Sequence, residues 1–346
     1  MFVSTFFHSE IGRQLRFAAI AGGLMVAGIW LCLQLGCPSA QAAVRTPPAT
    51  TKPVAAPAVV KPAPPAPRGI SSSQPAAVTA PVASKFPKTA FHQAFCAAMR
   101  QRGMDPESVC NPADPAELRI LAEYGAIFVA DAAIRLPPGC IFGSEAAVTQ
   151  FQTTAPAKSI VVNRTTVTLQ PAALAAFQAA CAEAKQARLS ISLHGGAKAS
   201  RRSLADTEEV WNRYVEEALR NWQKKGRISR EEVIRLRELP PIQQADEILK
   251  LESKGLYFGL AQHKTILSSA AVPGASQHLS LLALDIAEYA NPDVRRILAR
   301  HGWYQTVLDD FPHFTWLGVA EEKLPGLGLH PVTSSHQVFW LPEVKE

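Results

Sequence analysis

No acidic residue occurs between Glu10 and Asp105, whereas Arg45, Lys52, Lys61, Arg68, Lys85 and Lys88 all fall in that stretch. The net charge of +6 therefore belongs largely to the front of the chain. That stretch reads as simply solvated rather than as a basic tether beside an anionic cell wall or membrane, and no nucleic-acid partner is expected. There is no C-x-x-C pair, which argues against a cysteine zinc site. Neither a Walker-type loop nor a dinucleotide-binding glycine fingerprint is present, and internal repeats are lacking. What remains is 47% hydrophobic and 18% charged residues, an ordinary balance for a soluble enzyme with a core.

The front of the chain reads as an export signal over residues 1–43. Arg13 and Arg16 precede the apolar stretch Phe17–Leu35, and Ser39-Ala40-Gln41-Ala42-Ala43 offers small residues for cleavage. The apolar stretch is also long enough to stay as a membrane anchor, the one route by which a membrane would be engaged. Residues 44–87 are Pro, Ala, Val, Thr, Ser and Lys with almost no large side chain. Such a segment buries too little to offset its ordering entropy, so a disordered linker is expected. Export to a periplasmic or secreted location makes the cysteines informative. Cys96, Cys110, Cys140 and Cys181 remain beyond the leader, an even number that suggests two disulfides. Proximity in sequence favours Cys96–Cys110 and Cys140–Cys181.

Order is predicted to begin near Lys88. Helices are expected over Ala90–Gly103, Pro115–Tyr124, Ser144–Phe151, Pro171–Ala187, Leu204–Lys224, Arg230–Leu236, Gln243–Glu252 and Pro292–His301. Strands are expected at Ile160–Val162, Leu189–Leu193 and His313–Leu317. The mixture lacks a βαβ rhythm, so the fold class is α+β. A small helical region over 88–165 and a larger domain over 166–346 are expected.

Two segments carry potential chemistry: Ser276-Gln277-His278-Leu279-Ser280-Leu281-Leu282-Ala283-Leu284-Asp285-Ile286, and Asp309-Asp310-Phe311-Pro312-His313-Phe314-Thr315-Trp316-Leu317-Gly318. A carboxylate inside Leu-Ala-Leu-Asp-Ile is costly to bury unless a positive group meets it. That partner is either an arginine or a metal. Two imidazoles and one carboxylate, with a position left open, form the donor set of a catalytic zinc centre. His194, before Gly195-Gly196, reads as a turn residue.

These segments resemble the metal motifs of the VanY-type zinc D-alanyl-D-alanine carboxypeptidases, S-x-H-x-x-G-x-A-x-D and E-x-x-H. Ser276, His278, Ala283 and Asp285 match the first motif, and His313 matches the second. Arg202-Ser203, with Trp211 downstream, is similar to a third family element that lies ahead of a helix. The resemblance spans roughly residues 171–318. It implies a small antiparallel sheet flanked by helices, with Zn2+ held by His278, Asp285 and His313. It also implies Asp310 as general base, Arg202 as oxyanion or substrate ligand, Ser276 at the substrate, and a peptidoglycan stem peptide as the partner acted upon.

Three departures stand against it. Leu281 replaces the motif glycine and would fill space where backbone and substrate approach. Asp310 replaces glutamate, a reach shorter by about 1.5 Å. Arg202 follows Arg201 rather than an aromatic residue, and Lys198 competes with it. A non-catalytic cell-wall-binding module that keeps the zinc fold is therefore the alternative to a peptidase.

Overall fold

The computed structural model describes residues 85–344. The leader over 1–43 and the linker as far as residue 84 lie outside the described residues, as do 345 and 346. Among the described residues no helix is long and apolar enough to cross a membrane.

In chain order the elements are α1 (Ala90–Gln101), α2 (Pro106–Val109), α3 (Pro115–Tyr124), α4 (Glu145–Thr154), β1 (Lys158–Val162), β2 (Thr165–Leu169) and α5 (Pro171–Gln186). There follow α6 (Leu204–Lys224), α7 (Arg230–Glu238), α8 (Pro241–Glu252), β3 (Ala283–Asp285), α9 (Pro292–Arg300), β4 (Trp303–Tyr304), β5 (His313–Trp316), β6 (Leu329–Ser334) and β7 (Gln337–Pro342). Helices mixed with three small antiparallel sheets make this an α+β protein.

The helices begin where the sequence supplies caps. Thr89, Asp105, Asp114, Ser144, Ser203, Ser229 and Asn291 each accept a backbone N–H of the first turn from the N-cap position. Proline opens α2, α3, α5, α8 and α9, where its missing N–H costs nothing. On α6, Ser203 and Asp206 satisfy each other's backbone in a reciprocal capping box. That box fixes where Arg202, one residue earlier, leaves the helix.

The central sheet has the order β3-β5-β4. Two separate hairpins turn through residues at positive φ. Asn163 and Arg164 (φ 48° and 67°) join β1 to β2, and Ser335 and His336 (φ 47° and 63°) join β6 to β7. Two consecutive positive φ values give the turn whose twist suits a two-residue hairpin. The expected strand at Leu189–Leu193 reduces to one bridge, Leu193 with Ile286, because only Ser192 and His194 bond to the segment beside them.

The described residues pack into two main cores, the first of them against the central sheet. Phe91 and Phe95 of α1, Leu174 and Phe177 of α5, Leu284 of β3, Ile297 and Leu298 of α9, Trp303 and Phe314 build the first. Trp211, Val215, Leu219, Leu236, Ile248, Phe258, Ile266 and Val307 build the second. Each large side chain buried this way contributes about 1.5–3 kcal/mol. The first core draws on residues from both 88–165 and 166–346, and the β1–β2 hairpin itself spans residue 165.

The disulfide pairing differs from expectation. Cys110 bonds Cys140, with their Cα atoms 5.4 Å apart. The Cys140 N–H donates to the Val109 carbonyl at 2.7 Å, so a backbone bond sets the two cysteines side by side. Neither Cys96–Cys110 nor Cys140–Cys181 can then form. Cys96 is buried on α1, and the half-buried Cys181 thiol is pushed up to about 11, by burial first and then by Glu288. It therefore stays protonated and unreactive.

Candidate metal centre

Strand register brings the first two donors together. In the β3–β5 ladder Asp285 lies directly opposite His313, so both side chains stand on one face a few ångströms apart. Thr315, two residues on, shares that face, while Phe314 and Trp316 point into the first core. His278 comes from a 3-10 turn, Gln277–Ser280, just ahead of β3. All three donors are buried.

Their spacing is informative. His278 Nε2 lies 3.3 Å from Asp285 Oδ1, and His313 Nδ1 lies 3.4 Å from the same oxygen. One donor atom from each residue lies within 4.8 Å of the others. Ligands about 2.0–2.1 Å from a tetrahedral ion would stand about 3.3–3.4 Å apart, so the two contacts have the length of tetrahedron edges. For the His278 contact a direct hydrogen bond is the poorer explanation, because both nitrogens of that ring are buried without any hydrogen-bond partner. Such an orphaned group costs about 1–3 kcal/mol unless something else meets it. The residues present therefore fit a divalent cation.

Charge agrees with this picture. Burial, helped by the charge of Arg202, pushes His278 down to about 4, leaving a neutral ring with a lone pair to give. Burial pushes Asp285 up, but His278, His313 and Arg202 together outweigh it and hold the carboxyl well below the usual range. Asp285 is thus an anion turned with Oδ1 towards the two histidines and Oδ2 towards Arg202.

The other expected residues fall as follows. Arg202 donates to Asp285 Oδ2 at 2.5 Å and to the Lys198 carbonyl at 3.0 Å, so part of its guanidinium serves the carboxylate. Lys198, its competitor, pairs instead with Asp206 at 2.7 Å and Glu209 at 3.3 Å. Ser276, Arg202, His278, Asp310 and His313 all line one cavity of about 40 Å³, closed by Tyr124 of α3, by Thr207 and Val210 of α6, and by Ser269–Ala271. Asp310 is half-buried there and is raised to about 6, by burial first and by the Asp285 charge, against the pull of His313, Arg202 and His194. Its neighbour Asp309 has φ 65° and bonds Lys264 at 2.8 Å and Ser334 at 2.5 Å, away from that cavity. His194, expected as a plain turn residue, lies close enough for its charge to act on Asp310, and its N–H donates to the Asp285 carbonyl at 2.8 Å.

Leu281 resolves differently from expectation. Its side chain is fully buried, and its backbone takes φ 59° and ψ 36°, the left-handed region. A glycine at this place would relieve the backbone rather than make room for a substrate, and a leucine there costs about 1–2 kcal/mol.

Three buried glutamines went unnoticed in the sequence, because glutamine has no motif value. Gln152 donates to the carbonyls of Leu279 and Arg202, at 3.1 and 2.8 Å. Gln170 donates to the Ser280 carbonyl at 2.9 Å, and its own N–H bonds the Leu281 carbonyl at 3.1 Å. Gln277 accepts from His313 at 2.8 Å. Gln152 and Gln170 thereby satisfy carbonyls of the short turn that carries His278, while Gln277 holds His313. A second cysteine-containing cluster, Cys110, Glu117 and Cys140, has its sulfurs committed to the disulfide.

Compared with models of known families, with curated proteins and with solved structures, the chain matches none.

Proposed function

We propose that this chain is an exported zinc peptidase of the D-alanyl-D-alanine carboxypeptidase kind, acting on peptidoglycan stem peptides. The reading extends to the fold, a small antiparallel sheet flanked by helices as in zinc DD-peptidases. One observation carries it: two imidazole nitrogens stand at tetrahedral-edge distances from one buried carboxylate oxygen, with the His278 ring otherwise unpartnered.

His278, Asp285 and His313 would hold the ion. When bound, zinc supplies Lewis acidity, which makes water nucleophilic near neutral pH and polarises a carbonyl. The chain does the rest. Asp310, ionised above about pH 6, accepts the proton of the attacking water and returns it to the leaving amine. Arg202 presents a fixed positive charge at the cavity wall, where negative charge develops on the scissile carbonyl. Its bond to Oδ2 keeps Oδ1 of Asp285 facing the histidines. Tyr124, Val210 and Ala270 line the same cavity, and their apolar surface lowers the local dielectric and strengthens each of these interactions.

A second reading is a wall-binding module that keeps the metal without turnover. It is favoured by the short Asp310 side chain and by the engagement of Arg202 with Asp285. A misplacement of about 1 Å can cost around a hundredfold in rate. Incubating the purified protein with a peptide ending in D-Ala-D-Ala, with and without a chelator, separates the two. Chelator-sensitive release of D-alanine is expected; bound zinc with no turnover on any muropeptide would favour the module.

A further inference from the structure

Gln277 is next to His278 in the chain but acts on His313. Its side chain is 1% exposed, so its amide must find all its partners inside the protein. The orientation of that amide follows from its neighbours. One end lies 2.8 Å from the Tyr124 carbonyl oxygen, which can only accept, so the NH2 group must be there. The carbonyl end, Oε1, then faces the other way. It meets His313 Nε2 at 2.8 Å and the Thr315 hydroxyl.

Oε1 carries no proton, so His313 Nε2 must supply one. In a neutral ring the other nitrogen is then bare, and that nitrogen, Nδ1, is the one 3.4 Å from Asp285 Oδ1. The threonines complete the chain of donors. Thr315 spends its proton on Gln277, so Thr306, 2.6 Å away, donates to Thr315. Every proton in this buried row is thereby assigned, from the Tyr124 carbonyl to Thr306.

We infer that Gln277 is a positioning residue that selects the Nε2–H form of His313 and so presents the Nδ1 lone pair to a cation shared with His278 and Asp285. The last step rests on the metal reading; the choice of tautomer is a property of the chain alone. Partners of this kind fix ring orientation and ligand basicity, and their loss weakens metal binding about 10- to 100-fold.

The test uses the full chain, stripped of metal, at neutral pH. Long-range proton–nitrogen NMR of the imidazoles reads which His313 nitrogen carries the proton, and titration with zinc alone reads affinity. The wild-type ring is expected to carry its proton on Nε2. Gln277→Met keeps bulk but removes the acceptor; it should mix the two tautomers and weaken zinc about 10- to 100-fold. Gln277→Glu keeps an acceptor oxygen for His313 and puts a carboxyl in place of the amide donor to the Tyr124 carbonyl; it should hold zinc close to wild-type affinity.

A wild-type ring protonated on Nδ1, or on both nitrogens, overturns the inference without recourse to any variant. So does a Gln277→Met chain that binds zinc as wild type does, or a Gln277→Glu chain that falls as far as Gln277→Met. In the last case the role lies in the Tyr124 bond. If the wild type takes up no zinc while the Nε2–H form is present, the metal reading fails and the action of Gln277 on His313 stands.

Discussion

The ladder between β3 and β5 and the turn over Gln277–Leu281 deliver donors to the same point by opposite means. In the ladder, register alone sets Asp285 against His313, and the strand bonds satisfy the backbone. In the turn, His278 is held by a single 3-10 backbone bond, from the Leu281 N–H to its carbonyl at 3.2 Å. Side-chain amides from Gln152 and Gln170 take up the turn's next carbonyls, and Leu281 accepts a left-handed backbone to leave it. A donor on a ladder tolerates change around it, whereas a donor on such a turn depends on residues distant in sequence.

The strongest test of this contrast removes the donor on the turn. His278→Ala should abolish zinc uptake and any peptidase activity while leaving the ladder folded, checked by zinc titration beside circular dichroism. Next in size, Asp310→Asn should leave zinc affinity unchanged and cut turnover by about 10²–10⁴, the usual worth of a general base. The active form of Asp310 is the anion, so wild-type turnover should fall towards acid, with a midpoint no higher than about 6. A bound cation favours the anion and draws that limb lower still. A rate profile flat from pH 7 to pH 4 would contradict the assignment.

The smaller effects fall on the supports of the turn. Gln170→Leu leaves the Ser280 and Arg135 carbonyls without their buried donor, and it should cost about 1–3 kcal/mol in a denaturant melt. Zinc affinity should fall with it, because the turn that carries His278 loosens. Leu281→Gly sets two effects against each other. Relief of the left-handed backbone returns about 1–2 kcal/mol, while truncating a fully buried leucine to alanine ordinarily costs about 2–5 kcal/mol, so a small net destabilisation is expected. A gain in stability would show that the strain outweighs the packing.

The same contrast explains what could be read from the sequence. Helix starts were legible because caps and prolines are local signals: α3 and α6 begin where Asp114, Pro115 and Ser203 say they should. Asp285 was legible as a carboxylate in an apolar run, and only the resemblance to the zinc carboxypeptidase motifs brought in His278 and His313. The hairpin β6–β7 was missed because Ser335-His336 makes its turn without glycine or asparagine. The first disulfide was mispaired because proximity along the chain says nothing of the backbone bond from Cys140 to Val109. Gln152, Gln170 and Gln277 were invisible for a related reason: their work is to satisfy particular carbonyls and one imidazole, and only the folded chain brings those within reach.

The central claim is that one cation is gripped jointly by His278, Asp285 and His313, and elemental analysis tests it most directly. Purified without chelator, the wild-type chain should carry one zinc per molecule, and each of His278→Ala, Asp285→Ala and His313→Ala should carry none while remaining folded. A folded wild-type chain free of zinc even after incubation with it, or a single variant that retains the full complement, would contradict the account.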